Sequence, residues 1–189
     1  MTKLTRHIVT VTKLAMIIDS SDVCRRRHSY KVERHSILIC RRLKLPLREI
    51  RIIKIASMLH DIGKIGIDLM IIKKADKLNA DEWAQVRLHP GIGANIVAQL
   101  GFLEDAAPVI RYHHSRFGGG GYPDASRTGD DIPIGSRIIS VADAYDAMIN
   151  DRPYRKAMPG EAAIAELNRC SGSQFDPKIV DAFLSEIKA

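Results

Sequence analysis

The chain has 189 residues, of which 46% are hydrophobic, 27% charged and 5% aromatic. This composition excludes a disordered chain and fits one domain with an aliphatic core, or two very small domains. The formal net charge is +7, and residues 1–60 carry 14 Lys and Arg against 4 Asp and Glu. This basic excess is either a solvated surface or an attraction for phosphate-bearing ligands. Because no zinc-finger spacing or aromatic RNA-binding motif is present, we expect no nucleic-acid partner.

The three cysteines are Cys24, Cys40 and Cys170. Their odd number and wide spacing predict reduced thiols in a cytoplasmic protein rather than a disulfide framework. The N-terminal stretch is interrupted by charged residues and lacks a continuous apolar signal core, and no later run is long enough to span a bilayer. We therefore expect no membrane partner.

Helical periodicity dominates the chain. Apolar residues recur at helical spacing in LREIRIIKIASML, residues 47–59. In NADEWAQV, Asn79 followed by Glu82 three positions later is typical of a capping box at a helix start. The pattern also predicts helices over 104–115, 133–149 and 160–169.

The C-terminal stretch DPKIVDAFLSEIK predicts a last helix, with Asp176 as its cap and Pro177 at its first position. No hairpin signal flanked by alternating strands is present, and the glycine run 118–121 is typical of a loop. We therefore expect an all-α protein, a single compact helical bundle spanning residues 1–189.

Polar side chains interrupt these apolar segments at several points. His60 and Asp61 end a strongly apolar helix, and His89 precedes a proline at which a helix stops or starts. His113 and His114 fall on a third predicted helix, and Asp143 lies within an apolar fourth, with Asp146 on nearly the same face. A lone histidine is more often a hydrogen-bonded structural residue than a ligand. The combination of imidazole and carboxylate on four predicted helices instead favours a metal site.

Imidazole and carboxylate together suit a divalent transition metal, and no pair of cysteines has the spacing of a structural zinc site. A carboxylate directly after a histidine, as Asp61 follows His60, can bridge two ions. Paired metals about 4 Å apart are known to activate water and to clamp a phosphoryl group. The sequence thus links the metal-binding residues to phosphate chemistry.

These motifs together resemble the HD-GYP group of the HD phosphohydrolases. The resemblance rests on the ordered set HDIGK at 60–64, HP at 89–90, HH at 113–114, GYP at 121–123, VADAYDAM at 141–148 and RPYR at 152–155. IPIGSRI and QFDP extend it from about residue 22 to the C-terminus. HDIGK alone indicates only the broad superfamily, whereas the full set is specific. The resemblance implies an all-helical, metal-dependent phosphodiesterase that hydrolyses cyclic di-GMP to pGpG, to GMP or to both.

The resemblance also implies roles for individual residues. Two divalent ions, iron or manganese, would be bound by seven ligands. One ion would be held by His28, His60, Asp61 and Asp143, and the other by His89, His113 and His114 together with Asp61. Asp61 would bridge the two ions and act in catalysis with Lys64, which would lie beside the scissile phosphate. Arg152 and Arg155 would hold phosphate oxygens, although ordinary surface ion pairing is the alternative for both. Asp146 is expected to orient a neighbouring ligand rather than to bind metal.

The sequence departs from the group's pattern at three positions. The motif HHExxDGxGYP has become HHSRFGGGGYP, so Ser115 replaces a glutamate and Gly118 an aspartate. Cys24 stands where members with three metals have a glutamate, so we expect a binuclear centre. The intact GYP turn either has a structural role or contacts the substrate through Tyr122, and it is also a candidate surface for protein partners.

These departures leave two alternatives to the leading hypothesis. One is a module that binds a cyclic dinucleotide or a protein with little or no turnover. The other is a hydrolase of another cyclic dinucleotide. A serine beside a histidine does not indicate a Ser nucleophile here, because no third member of a triad is apparent.

Overall fold

A computed structural model describes residues 10–15, 28–74, 76–151 and 156–187 of the chain. The described part contains no β-strand apart from one isolated bridge between Ser171 and Phe175. Residues 10–15 are helical. The α-helices that follow are α1 (His28–Arg42), α2 (Leu47–Leu59), α3 (Leu69–Ile72), α4 (Ala80–Val86), α5 (His89–Ala98), α6 (Ala107–Arg111), α7 (Ile134–Ile149), α8 (Gly160–Arg169) and α9 (Pro177–Ile187). The all-α prediction is confirmed.

Three short 3₁₀ helices lie between these elements, at Ile62–Gly66, Glu104–Ala106 and Gly129–Asp131. The predicted helices over 133–149 and 160–169 correspond to α7 and α8. The capping box is present, because the Asn79 side chain accepts from the Glu82 amide and the Glu82 carboxylate accepts from the Asn79 amide. The last helix begins at Pro177, and the Asp176 carboxylate accepts from the Lys178 amide.

The predicted helix over 104–115 is wrong in its C-terminal part. The segment forms a 3₁₀ turn followed by α6, which ends at Arg111. Residues 112–114 form a turn, and the ring of His113 bonds the Ile110 carbonyl that a longer helix would use for its own backbone. His113 and His114 therefore project from a turn and not from a helix.

Two apolar cores lie on either side of the long helices. The first core includes Leu59, Ile110 and Ile139, and Leu59 directly precedes His60 in the chain. The second core includes Ile138 and Phe183 and joins α7 to the C-terminal helices. Because α1, α2 and α7 line both cores, they form a rigid frame from which polar side chains can project with fixed directions.

The HDIGK segment packs against the start of α5 at an unusually short distance. A Cβ atom on Gly63 would overlap the carbonyl oxygen of His89 and would also crowd the backbone nitrogen of Gly93. Only glycine permits this approach, which brings Asp61 close to His89. Close packing of the backbone therefore explains why position 63 of the motif is a glycine. None of the described helices is long and apolar enough to cross a membrane.

Candidate metal centre

The seven predicted ligands come together at one site from five separate parts of the chain. His28 lies in the first described turn of α1, His60 follows the last residue of α2, and His89 is the first residue of α5. Asp61 precedes the 3₁₀ helix at Ile62–Gly66, and Asp143 lies in the middle of α7. Helix ends thus supply most of the site, where side chains can point past the helix into a shared space.

The first group of potential ligands is His28, His60 and Asp143. Each offers one ligand atom, and the three atoms lie within 4.8 Å of one another. The Nε2 atom of His28 is 3.2 Å from Oδ1 of Asp143. Although burial acts against ionisation, the hydrogen bond and the charge of His28 hold the pKa of Asp143 well below its usual range. Asp143 is therefore a carboxylate at neutral pH.

The second group is His89, His113 and His114, whose ligand atoms also lie within 4.8 Å of one another. Burial is the main reason that the pKa of His89 falls to about 3 and that of His113 to about 4. The pKa of His114 is also well below its ordinary value, first because of burial and then because of the other two rings. All three imidazoles are thus neutral at pH 7, which is the form that binds a metal.

Asp61 lies between the two groups. Its Oδ2 atom is 3.6 Å from Nε2 of His60 in the first group, and its Oδ1 atom is 3.4 Å from Nε2 of His89 in the second. Its carboxylate also accepts a hydrogen bond from Nζ of Lys64 at 2.6 Å. One carboxylate can therefore serve both groups, as expected of a bridging ligand, and the lysine predicted to be catalytic lies next to it.

Four of the five histidines are held through their Nδ1 atoms. Nδ1 of His60 lies 2.8 Å from the Ser57 carbonyl, and Nδ1 of His89 and of His113 each lie 2.7 Å from the carbonyl three residues earlier. Nδ1 of His28 lies 2.7 Å from a carboxylate oxygen of Asp146. Because these partners only accept, each Nδ1 donates. In the neutral rings of His60, His89 and His113, Nε2 then keeps its lone pair for the centre of the site.

The facing nitrogens of His89 and His113 test whether a cation fits. Their Nε2 atoms lie 3.4 Å apart. Since both Nδ1 atoms already donate, two neutral rings aim lone pairs at each other, an arrangement that needs a proton or a cation between them. Burial disfavours the proton, as the lowered pKa values show. Nε2 of His60 is also buried, and it has no hydrogen-bond partner among the residues that the structure describes. The Nε2 lone pairs of His60, His89 and His113 are therefore suitable ligands for a metal ion.

The prediction for Asp146 agrees with its geometry. This carboxylate is buried, with 2% of the residue exposed, and it bonds Nδ1 of His28 on the side opposite Asp143. The two aspartates of α7 therefore hold the imidazole of His28 between them. The i, i+3 spacing in the sequence is the signal that revealed this pair.

The GYP turn is built against the histidine pair. The Tyr122 ring stacks on the His114 ring, with centroids 4.7 Å apart and planes inclined by 29°. A Cβ atom on Gly121 would lie 2.6 Å from the His114 carbonyl oxygen and 2.5 Å from the Arg116 amide nitrogen, so glycine is needed for this approach. Burial raises the pKa of Tyr122, which keeps its hydroxyl protonated.

Arg87 is a residue that the sequence patterns did not single out. Its guanidinium carbon lies 5.8 Å from the centroid of the Tyr122 ring, and the residue is exposed two positions before His89. No carboxylate within the described ranges pairs with it. The only signal in the sequence is a basic residue near the HP motif, which is too common to be informative.

The two substituted positions of the loop have different environments. Ser115 is 5% exposed, and its hydroxyl has no hydrogen-bond partner within the described part of the chain. Gly118 faces away from the histidines, because its amide donates to the Ser173 carbonyl at 2.7 Å and a Cβ atom would lie 3.1 Å from that oxygen. The Cβ atom of an aspartate at position 118 would therefore lie beside the 172–173 turn. Of the two substituted positions, only Ser115 adjoins the candidate ligands, because it directly follows His114.

Three residues of the sequence hypothesis lie outside the described residues: Arg152, Arg155 and Cys24. The other two cysteines are buried free thiols, and burial raises the pKa of Cys40 to about 12. Neither thiol belongs to the groups of potential metal ligands. Both pack in the second core, and the thiol of Cys170 also donates to the Glu166 carboxylate at 3.5 Å.

The family model described as "HD domain" matches residues 13–179. The chain therefore belongs to the HD domain family, and the motifs that carried the resemblance place it in the HD-GYP group. Members of the wider family of HD phosphohydrolases bind divalent metals, and the His and Asp groups described above are compatible with that property.

Two curated relatives match almost the whole chain. The cyclic di-GMP phosphodiesterase response regulator RpfG of Xanthomonas campestris pv. campestris is 37% identical over 95% of this chain and 48% of its own length. The 3'3'-cGAMP-specific phosphodiesterase 3 of Vibrio cholerae is 34% identical over 89% of this chain and 36% of its own length. The chain thus spans half or less of the length of these relatives.

Among solved structures, the chain resembles Bd1817, an HDG"Y"P protein from Bdellovibrio bacteriovorus. The TM-score is 0.70 at 19% identity, with 89% of this chain and 53% of that chain covered. At this identity the likeness supports the fold alone, and it agrees with the helical architecture described above.

Proposed function

We propose that this chain is a metal-dependent phosphodiesterase that hydrolyses cyclic di-GMP to pGpG, to GMP or to both. The observation that carries the proposal is the pair of ligand groups joined by the carboxylate of Asp61. The names of the two relatives, which specify cyclic di-GMP and 3'3'-cGAMP, favour a cyclic dinucleotide as the substrate class. We further propose that residues 1–189 form one HD-GYP-like domain.

The metal ligands in this proposal are His28, His60 and Asp143 for one ion, and His89, His113 and His114 for the other, with Asp61 shared. A donor set of imidazole and carboxylate without thiolate suits iron or manganese. When bound, a pair of such ions lowers the pKa of water and neutralises charge on a phosphoryl group. Bound ions would also offset the charge of the buried Asp61 and the partly buried Asp143.

The chain's own residues then bind and orient the substrate. Lys64 brings an ammonium group to the bridging carboxylate, where it can donate to a phosphate oxygen. Tyr122 offers a protonated hydroxyl and an aromatic face beside His114. Arg87, Arg152 and Arg155 add guanidinium groups, which suit bidentate contacts with phosphate.

The main alternative is a module that binds the dinucleotide without efficient turnover. Ser115 motivates it, because a buried serine replaces an acidic residue next to the ligand pair. A hydrolase of another cyclic dinucleotide is the second alternative, motivated by the cGAMP-specific relative. Protein partners at the GYP loop and a cytoplasmic location stay predictions from the sequence.

One experiment separates these functions. The protein is purified without oxygen, loaded with Fe(II) or Mn(II), and incubated with cyclic di-GMP, 3'3'-cGAMP and cyclic di-AMP in parallel. The proposal expects fastest turnover of cyclic di-GMP, with linear pGpG appearing first. Tight binding of cyclic di-GMP without products would establish the binding module, and faster turnover of another member of the panel would establish the second alternative.

A further inference from the structure

Asn150 directly follows the last residue of α7 and forms hydrogen bonds with residues of α7 and α1. Its side-chain nitrogen donates to Oδ1 of Asp146 at 2.9 Å and to the Asp146 carbonyl oxygen at 2.7 Å. Its side-chain oxygen accepts from Nζ of Lys31 at 2.6 Å. The carboxamide is therefore held at both ends, and one end contacts the carboxylate that orients His28.

The two oxygens of Asp146 have separate partners. Oδ2 bonds Nδ1 of His28, and Oδ1 bonds the amide nitrogen of Asn150. Because the carboxylate is buried, each oxygen that lost a partner would carry a desolvation cost. With both oxygens bonded, rotation of the carboxylate is opposed, and Nε2 of His28 stays directed at Asp143, 3.2 Å away.

This chain of contacts ties two helices together. His28 and Lys31 are three residues apart on α1, so they project from the same side of that helix. Asp146 lies on α7 and Asn150 follows it by four residues at the helix end. The relay Lys31–Asn150–Asp146–His28 therefore spans the interface of α1 and α7 in two parallel contacts, one at the ligand and one at the surface.

We propose that Asn150 and Lys31 are positioning residues for the metal centre, and this proposal rests on the metal centre proposed above. They fix the carboxylate of Asp146, which in turn fixes the imidazole of His28.

The test measures Mn(II) affinity and stoichiometry of the metal-free protein by competition with a coloured chelator. Asn150→Ala should weaken binding of one of the two ions by about threefold to tenfold, below the 10–100-fold effect of a direct partner of a ligand. Asn168→Ala is the matched control, because Asn168 also donates to the carbonyl four residues earlier, at 3.1 Å, but at the end of α8. It should leave both affinities unchanged.

Lys31→Met supplies a second variant that does not depend on Asn150, since Lys31 is exposed and its loss leaves the core intact. Lys31→Met should lower the affinity for the same Mn(II) ion by a smaller factor than Asn150→Ala does. Lys31→Arg should keep the affinity of the parent protein. If the residues act as one relay, Lys31→Met combined with Asn150→Ala should cost no more than Asn150→Ala alone.

Parent affinity and stoichiometry in both Asn150→Ala and Lys31→Met would overturn the relay, as would additive losses in the double variant. A parent protein that binds two Mn(II) ions and hydrolyses no cyclic dinucleotide would remove the proposed activity and leave the relay standing. A parent that binds no Mn(II) would overturn the metal centre and the relay together.

Discussion

Substitution of Asp61 by alanine tests the bridge on which the proposed centre depends. The carboxylate reaches both ligand groups, with its oxygens 3.6 Å from Nε2 of His60 and 3.4 Å from Nε2 of His89. Asp61→Ala leaves three ligands in each group, and it removes the negative charge between two cations. We expect metal content to fall well below two per chain and hydrolysis to vanish.

The magnitude follows from the charges. Unit charges about 4 Å apart interact by about 4 kcal/mol at an effective dielectric constant of about 20. A tenfold change in affinity corresponds to about 1.4 kcal/mol. Loss of one carboxylate contact should therefore lower the affinity for each ion by at least about 100-fold. Lys64 loses its partner as well, but part of its side chain reaches solvent, which limits the cost to the fold.

Metal content after dialysis is measured by elemental analysis, with circular dichroism as the check on folding. Asp61→Asn keeps the shape of the side chain and should show the same loss of metal. Asp105→Ala is the control, because that exposed carboxylate pairs with Arg48 at the surface, away from the candidate ligands. Two tightly bound ions in folded Asp61→Ala protein would refute the bridging role and the centre built on it.

Three further outcomes are expected. Arg152→Ala and Arg155→Ala should each keep the parent metal content but weaken cyclic di-GMP binding by about tenfold or more. The reason is that a charge-assisted hydrogen bond contributes about 1.5–3 kcal/mol. If calorimetry finds the parent affinity for cyclic di-GMP in both variants, the two arginines do not bind substrate and belong to the surface. Burial lowers the pKa of His89 from 6.5 to about 3 in the folded protein. As the pH falls, His89 is therefore protonated in the unfolded chain at a higher pH than in the folded protein, which favours unfolding. The metal-free protein should therefore lose about 2 kcal/mol of unfolding free energy through this histidine between pH 7 and pH 5, and a urea midpoint that rises toward pH 5 would contradict the reasoning. Ser115→Glu should raise the amount of metal retained after dialysis. Gly118→Asp should instead lower the thermal midpoint without raising metal retention, because its Cβ would lie 3.1 Å from the Ser173 carbonyl oxygen. A rise in metal retention in Gly118→Asp but not in Ser115→Glu would contradict these different roles of positions 115 and 118.

Local signals in the sequence were sufficient for most helices. The Asn79–Glu82 capping box and the start of the last helix at Pro177 are formed as expected, because capping depends on residues three or four positions apart. The end of α6 was not predictable in this way. It is set by the ring of His113, which takes the Ile110 carbonyl, and a side chain that competes with the backbone leaves no periodic signal.

The sequence by itself determined the helical class, the family and the identities of the candidate ligands, because motif order and apolar periodicity are properties of the chain. Only the tertiary structure decided the distances that place Asp61 between the two groups, and that Gly118 points away from them. It also revealed Arg87 and Asn150, through their contacts with Tyr122 and Lys31, which are distant in sequence. The physical reason is that directions of side chains at helix ends depend on packing between helices, such as the approach that Gly63 permits against His89, and no local pattern encodes that packing.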